Sequence, residues 1–219
     1  MLVSGSYAVD VVEWGAPLAR ARYAVIAVHG RGLDPEDMQE RSGNFSVDDV
    51  RYYAPRAPAG SWYPHSFLEP IETNQDGIDI GLVGISRSTA RALEDGFDPA
   101  AIAVWGFSQG ACLLTQHLLS SPNVRYGAAV LFTGGYIGAT EPTVQHRHLK
   151  DVPVLLRSIQ DDPFVPAERV HATARVLTEA GAAVDLRIDP GDQHVVTAEA
   201  YGRGSELIAA LGAGKPHAD

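Results

Sequence analysis

The sequence predicts an α/β fold in which a mostly parallel sheet is covered by helices on both faces. Short apolar or β-branched runs at 50–53, 102–105, 127–132, 154–159 and 184–188 alternate with segments of helical length at 75–94, 109–120 and 167–180. Alternation of this kind places parallel strands under crossover helices. The five-residue stretch Gly106-Phe107-Ser108-Gln109-Gly110 lies at one such strand-to-helix junction and gives the fold a chemical direction.

The elements follow in order. Residues 7–12 and 23–28 read as two strands joined by a turn around Gly15-Ala16-Pro17, an antiparallel pair at a sheet edge. From 50 onward strand and helix alternate. Gly96 and Gly181 fall where two helices should end, the position that favours glycine. The helix at 167–180 carries Val170, Ala174 and Leu177 on one face. At 219 residues the chain is long enough for one core, so we expect one domain over 1–219, with 212–219 a frayed tail.

Charge narrows the partners. Seventeen Lys and Arg against 27 Asp and Glu give a formal charge of −10 with no basic stripe, which argues against nucleic acid and anionic membranes. No apolar stretch approaches membrane-spanning length and no basic-then-apolar leader opens the chain. The single cysteine, Cys112, excludes an intramolecular disulfide and fits a reducing compartment, so a cytoplasmic location is expected. His146 and His148 lack partners at ligand spacing, so neither metal nor cofactor is expected.

Ligands of parallel sheets bind beyond the carboxyl ends of the strands. The residues that follow the strands are His29-Gly30-Arg31-Gly32, Ser108, Thr133-Gly134-Gly135, Asp161-Asp162 and the 189–194 segment. The pattern Gly-x-Ser-x-Gly between strand and helix is a nucleophile elbow, a turn so tight that the serine is held in a strained conformation. A serine hydroxyl needs a base to remove its proton and an acid to orient that base. His194 is the candidate base. Asp161, Asp162, Asp189 and Asp192 are candidate acids, and Asp162 is preferred because Pro163 restricts its backbone. The backbone N–H groups of Gln109, at a helix N-terminus, and of Arg31, between glycines, would form an oxyanion hole. A dinucleotide-binding reading of Gly30-Arg31-Gly32 fails because Pro35 stands where the third glycine belongs. Cys112, one helical turn after Ser108, is read as a small core residue, and His117 and His171 as packing or surface residues.

Together, His29-Gly30-Arg31-Gly32, the elbow, Gly134-Gly135, Asp162-Pro163-Phe164-Val165-Pro166 and the 191–194 loop resemble the phospholipase/carboxylesterase branch of the α/β-hydrolases. The resemblance spans roughly residues 20 to 212. It implies an α/β-hydrolase fold with no large cap domain, Ser108, Asp162 and His194 as a triad, and Arg31 and Gln109 as oxyanion donors. It also supports Asp162 among the acids. Residues 61–68 resemble an acyl-pocket loop, which makes Trp62, Tyr63 and Phe67 candidate substrate contacts, and Phe164 beside Asp162 is a fourth. Departures from many thioesterases of the branch fall at Arg31, Ala111 and Thr133. The expected substrate is a small-molecule carboxylic ester of short to medium acyl chain, turned over by a monomer or homodimer. The rivals are a thioesterase or lysophospholipase with the same triad, and a noncatalytic binding module.

Overall fold

The computed structural model describes residues 9–121 and 125–212. Seven strands form one sheet: β1 (Val11–Gly15), β2 (Tyr23–Val28), β3 (Val50–Pro55), β4 (Ile102–Phe107), β5 (Ala128–Phe132), β6 (Pro153–Ile159) and β7 (Ala183–Asp189). Their order is β1-β3-β2-β4-β5-β6-β7, with β1 antiparallel and every other pairing parallel. The helices are α1 (Pro35–Ser42), α2 (Gln75–Glu94), α3 (Gln109–Ser120), α4 (Ala167–Glu179) and α5 (Ala198–Ala209).

One expectation is corrected here. The first strand runs over Val11–Gly15 and pairs antiparallel with β3, Val11 opposite Pro55, rather than with β2. The reason lies in β2, Tyr-Ala-Val-Ile-Ala-Val, which is buried at every position and hydrogen-bonded on both sides, to β3 and β4. A strand apolar on both faces belongs in the interior of a parallel sheet. Glu13 marks β1 as the edge, since its carboxylate meets Arg51 of β3 at 2.8 Å and Arg91 of α2 at 2.9 Å. Residues 7 and 8, included in the expected strand, and the tail beyond 212 lie outside the described residues.

Two apolar layers flank the sheet. One packs Ile78 and Ile85 of α2, Leu113 and Leu114 of α3 and Val170 and Leu177 of α4 against Ile26, Val104 and Leu131. The other packs Met38 of α1 and Tyr201 and Ile208 of α5 against Val25, Trp105 and Val130. Helix α3 lies between layers of protein and buries nearly every side chain from Gln109 to Leu118, which is why it reads as apolar all round. Gly96 and Gly181 take left-handed φ values of 93° and 102° just past α2 and α4, as their positions predicted.

The sequence reading missed α1 and α5. The signal for α1 is a reciprocal cap: Asp37 donates its N–H to Asp34 at 3.0 Å while the Asp34 N–H reaches the Asp37 carboxylate at 2.8 Å, with Pro35 opening the helix. The signal for α5 is Thr197, whose hydroxyl caps the Ala200 N–H at 3.2 Å.

Candidate active site

The parallel strands bring four segments to one edge of the sheet. Residues after β2, β4, β6 and β7 carry Arg31, Ser108, Asp162 and His194 respectively. Ser108 ends β4 and caps α3 with φ 55° and ψ −121°, a backbone state that costs a non-glycine residue of order 1–3 kcal/mol. Steric room explains how it persists. A Cβ at Gly106 would meet the Ala111 amide nitrogen at 2.7 Å, and one at Gly110 would meet the Val28 carbonyl oxygen at 2.0 Å. Both glycines let β2, β4 and α3 close on the serine. Its N–H donates to the Phe132 carbonyl at 2.9 Å and its carbonyl accepts from the Cys112 N–H at 3.0 Å, so the strained residue is held from both sides.

His194 Nδ1 lies 2.7 Å from Asp162 Oδ2. The aspartate side chain is 0% exposed, and its other oxygen accepts from the N–H groups of Phe164 at 2.9 Å and Val165 at 3.0 Å. Because the carboxylate can only accept, Nδ1 carries the proton and Nε2 presents its lone pair. Nε2 is buried and has no hydrogen-bond partner among the described residues. The imidazole ring packs between Phe107 and Phe164, with centroids 5.1 and 5.2 Å away. The other acids are elsewhere. Asp161 is exposed, and Asp189 ties β7 to the start of α5, accepting from Arg187 Nε at 2.6 Å and from the Thr197 hydroxyl at 3.2 Å.

Ser108 and His194 line one cavity of about 470 Å³, together with Gln109 and Cys112. Tyr63 to Phe67 and Arg31 form a second wall, and Phe164 and Val165 a third. Tyr63, Phe67 and Phe164, three of the candidate substrate contacts, line this cavity. Trp62 does not line the cavity. It is 2% exposed, stacks on His29 at 4.8 Å, and donates its indole N–H to the His29 carbonyl at 2.8 Å, so it anchors the wall from behind. Cys112, expected simply in the core, forms part of the cavity lining while staying buried. Burial pushes its thiol up to about 11, against a 3.4 Å hydrogen bond from the Gly135 N–H, which keeps it protonated and unreactive.

His29 shows how the oxyanion segment is fixed. The Ala57 N–H donates to its Nε2 at 3.1 Å, so Nδ1 holds the proton and donates to the Gly30 carbonyl at 2.8 Å. Burial lowers its pKa and keeps this tautomer uncharged. The Arg31 N–H has no acceptor among the described residues, and the Gln109 N–H belongs to the first turn of α3, before any intrahelical acceptor.

The side chains of Arg31 and Gln109 do work that the sequence reading did not foresee. Arg31 donates to the carbonyls of Pro64 and His65, both at 2.8 Å, and Gln109 accepts from the Trp62 N–H and donates to the Tyr63 carbonyl, both at 2.9 Å. Asn74, also missed, accepts from the His65 N–H at 2.9 Å and donates to the Ser66 carbonyl at 3.0 Å. Nothing in local composition marks Arg31 and Gln109 as partners of a segment 33 or more residues away.

His148 approaches the Leu118 carbonyl at 2.8 Å, and His117 is buried against the Tyr126 hydroxyl at 2.9 Å. Among the described residues no three His, Cys, Asp or Glu side chains cluster as metal ligands, and no helix is long and apolar enough to cross a membrane.

Comparison with known proteins identifies the family. A phospholipase/carboxylesterase from Dyadobacter fermentans has a crystal structure that superimposes with a TM-score of 0.84 at 32% identity, covering 92% of this chain and 96% of that one. The acyl-protein thioesterase 1 of Schizosaccharomyces pombe is 24% identical over 193 residues, 81% of this chain and 85% of its own length. The carboxylesterase SOBER1 of Arabidopsis thaliana is 23% identical over 198 residues, with the same coverage of 81% and 85%. The family model for phospholipase/carboxylesterase matches residues 13–208, and the chain therefore belongs to that family of α/β-hydrolases.

Proposed function

We propose that the chain is a serine carboxylesterase acting on esters of short to medium acyl chain, with Ser108 as nucleophile, His194 as base and Asp162 as the acid that orients it. The observation that carries this reading is the 2.7 Å bond from Asp162 to His194 Nδ1, which leaves a lone pair on a buried, unpartnered Nε2 at the cavity that Ser108 lines. In the first step Nε2 takes the Ser108 hydroxyl proton as Oγ attacks the ester carbonyl. The oxyanion forms against the backbone N–H groups of Arg31 and Gln109, and Asp162 stabilises the imidazolium. Collapse breaks the ester bond, and Nε2–H protonates the departing alcohol. Water then attacks the acyl-serine by the same route, releasing the acid and restoring Ser108. Tyr63, Phe67 and Phe164 would hold the substrate's apolar part.

Hydrolysis of a p-nitrophenyl ester series by the parent and by Ser108→Ala tests this. The expected result is a loss of several powers of ten in the variant, and equal rates in both proteins would overturn the mechanism. A second reading, hydrolysis of thioesters, is favoured by the resemblance to acyl-protein thioesterases. It uses the same residues, and kcat/KM for matched oxygen and thio esters separates the two.

A further inference from the structure

The cavity differs in charge from the rest of the molecule. The protein carries a net −10, and among the described residues Arg51, Arg56, Arg91, Arg157, Arg175, Arg187 and Arg203 each pair with a carboxylate. Arg31 does not. Its guanidinium borders the cavity, and among the described residues no carboxylate lies within salt-bridge distance of it. Among the described residues no Asp or Glu lines the cavity. The carboxylate bonded to His194 is that of Asp162, which is buried and also accepts from two N–H groups.

Arg31 is also oriented. Two of its five N–H donors go to the Pro64 and His65 carbonyls at 2.8 Å, and its guanidinium lies 5.9 Å from the Tyr63 ring centroid. Neutral carbonyls fix the direction of the group without cancelling its charge. Three N–H donors remain on a planar group of the kind that recognises a carboxylate. A second guanidinium, Arg169, stands behind the same wall. It lies 5.6 Å from the Phe67 ring and is likewise held by carbonyls, those of Tyr136 at 2.8 Å and Gly138 at 2.9 Å, with no carboxylate paired to it among the described residues. One guanidinium without a paired carboxylate among the described residues, that of Arg31, thus lines the cavity, and a second, that of Arg169, lies behind its Phe67, in a protein that is otherwise strongly acidic.

We infer that the cavity selects esters that carry a second, anionic group, a carboxylate docked on the Arg31 guanidinium. This rests on the ester-hydrolase reading above and narrows its substrate class to half-esters of small dicarboxylic acids or acyl esters of hydroxy acids. An oriented but solvent-exposed guanidinium is worth roughly three- to tenfold in kcat/KM between a charged and a neutral substrate of similar size.

The test compares monomethyl glutarate with dimethyl glutarate, per ester group, and 4-acetoxybutanoate with butyl acetate. It uses the parent, Arg31→Lys and Arg31→Gln, with thermal unfolding of each variant. The parent should prefer the charged member of one pair by roughly three- to tenfold. Preference in the first pair places the anion in the acyl half, and preference in the second places it in the alcohol half. Arg31→Lys should keep part of the preference and Arg31→Gln should abolish it. No preference for either charged ester in the parent, or an equal preference in Arg31→Gln, overturns the inference while leaving ester hydrolysis intact. If the parent hydrolyses none of the four, calorimetric titration of the parent with glutarate decides. Binding weakened in Arg31→Gln upholds the anion site although the esterase reading has failed, and no binding overturns both.

Discussion

Two of the cavity's walls are built by different means. The wall that carries Ser108 is made of backbone: a strand end, a strained residue at φ 55° and two glycines that admit neighbouring main chain to within what a side chain would forbid. The opposite wall, residues 62–67, has no strand or α-helix of its own. It is suspended from side chains, those of Arg31, Gln109 and Asn74, which together make six hydrogen bonds to its main chain. The first wall fails all at once if a methyl group intrudes. The second loses stability in steps, about 1–3 kcal/mol for each buried polar group left without a partner. A nucleophile benefits from the first kind of construction, because its geometry is then independent of what occupies the cavity. A substrate wall benefits from the second, because its shape can change by exchanging a side chain without disturbing the sheet.

Gly110→Ala should separate the two constructions most sharply. Its new methyl would lie 2.0 Å from the Val28 oxygen and 2.6 Å from the His29 oxygen, both backbone atoms that cannot swing aside. We expect a loss above about 3 kcal/mol, or no folded protein, in chemical denaturation. Gly202→Ala in α5, where nothing lies within 4 Å, should instead gain about 0.5–1 kcal/mol. A mild effect at Gly110 would show that the elbow is not held by steric closure. Asp162→Asn comes next. An asparagine can still accept from the Phe164 and Val165 N–H groups, so the fold should survive, but it no longer presents a carboxylate to Nδ1. The kcat for ester hydrolysis should fall by about 10³–10⁴-fold, the size of the same change in a Ser-His-Asp protease. A loss under tenfold would remove Asp162 from the mechanism.

The contrast also explains what could be read in the sequence. The backbone wall was legible because its steric demands appear as glycines at fixed offsets from a serine, and parallel strands place the next segments on the same edge. Ser108, Asp162 and His194 were named on that basis, and the structure brings Asp162 and His194 into contact. The suspended wall was legible only as a resemblance. Trp62 was misplaced because an aromatic residue in a pocket loop and one anchoring that loop from below look alike in sequence. Its burial and its bond to the His29 carbonyl decide between them. The first strand was misassigned because its partner follows β2 in the chain, and adjacency in sequence is a poor guide when a strand is apolar on both sides.

Gln109→Ala tests the suspended wall at its most buried attachment. The Trp62 N–H and the Tyr63 carbonyl lose their partners, while the backbone N–H of residue 109 stays in place. Stability should fall by about 2–6 kcal/mol, two buried polar groups at about 1–3 kcal/mol each. The effect on kcat/KM should fall mainly on KM, since the wall contacts substrate and the oxyanion donor is retained. A kcat loss that exceeds the KM change would mean the wall also positions the oxyanion hole.

The smallest effect comes from the far side of α3 and keeps acid sensitivity of the fold apart from acid sensitivity of the reaction. His117 is buried, and burial pushes its pKa down to about 4 from an ordinary 6.5. The unfolded chain therefore binds a proton that the folded chain refuses between those values. Its contribution to stability is fully present above pH 6.5 and is lost as pH falls toward 4, by about 2 kcal/mol between pH 7 and 5. His117→Leu removes the titration and leaves the Tyr126 hydroxyl bonded to Thr89 at 2.9 Å. Urea unfolding at pH 7 and 5 should show the parent losing about 2 kcal/mol more than the variant over that interval. The acid limb of the ester-hydrolysis rate should be the same in both proteins. If the variant shifts that limb, acid inactivation reflects unfolding behind α3, and a falling rate at low pH no longer reports on the base beside Ser108.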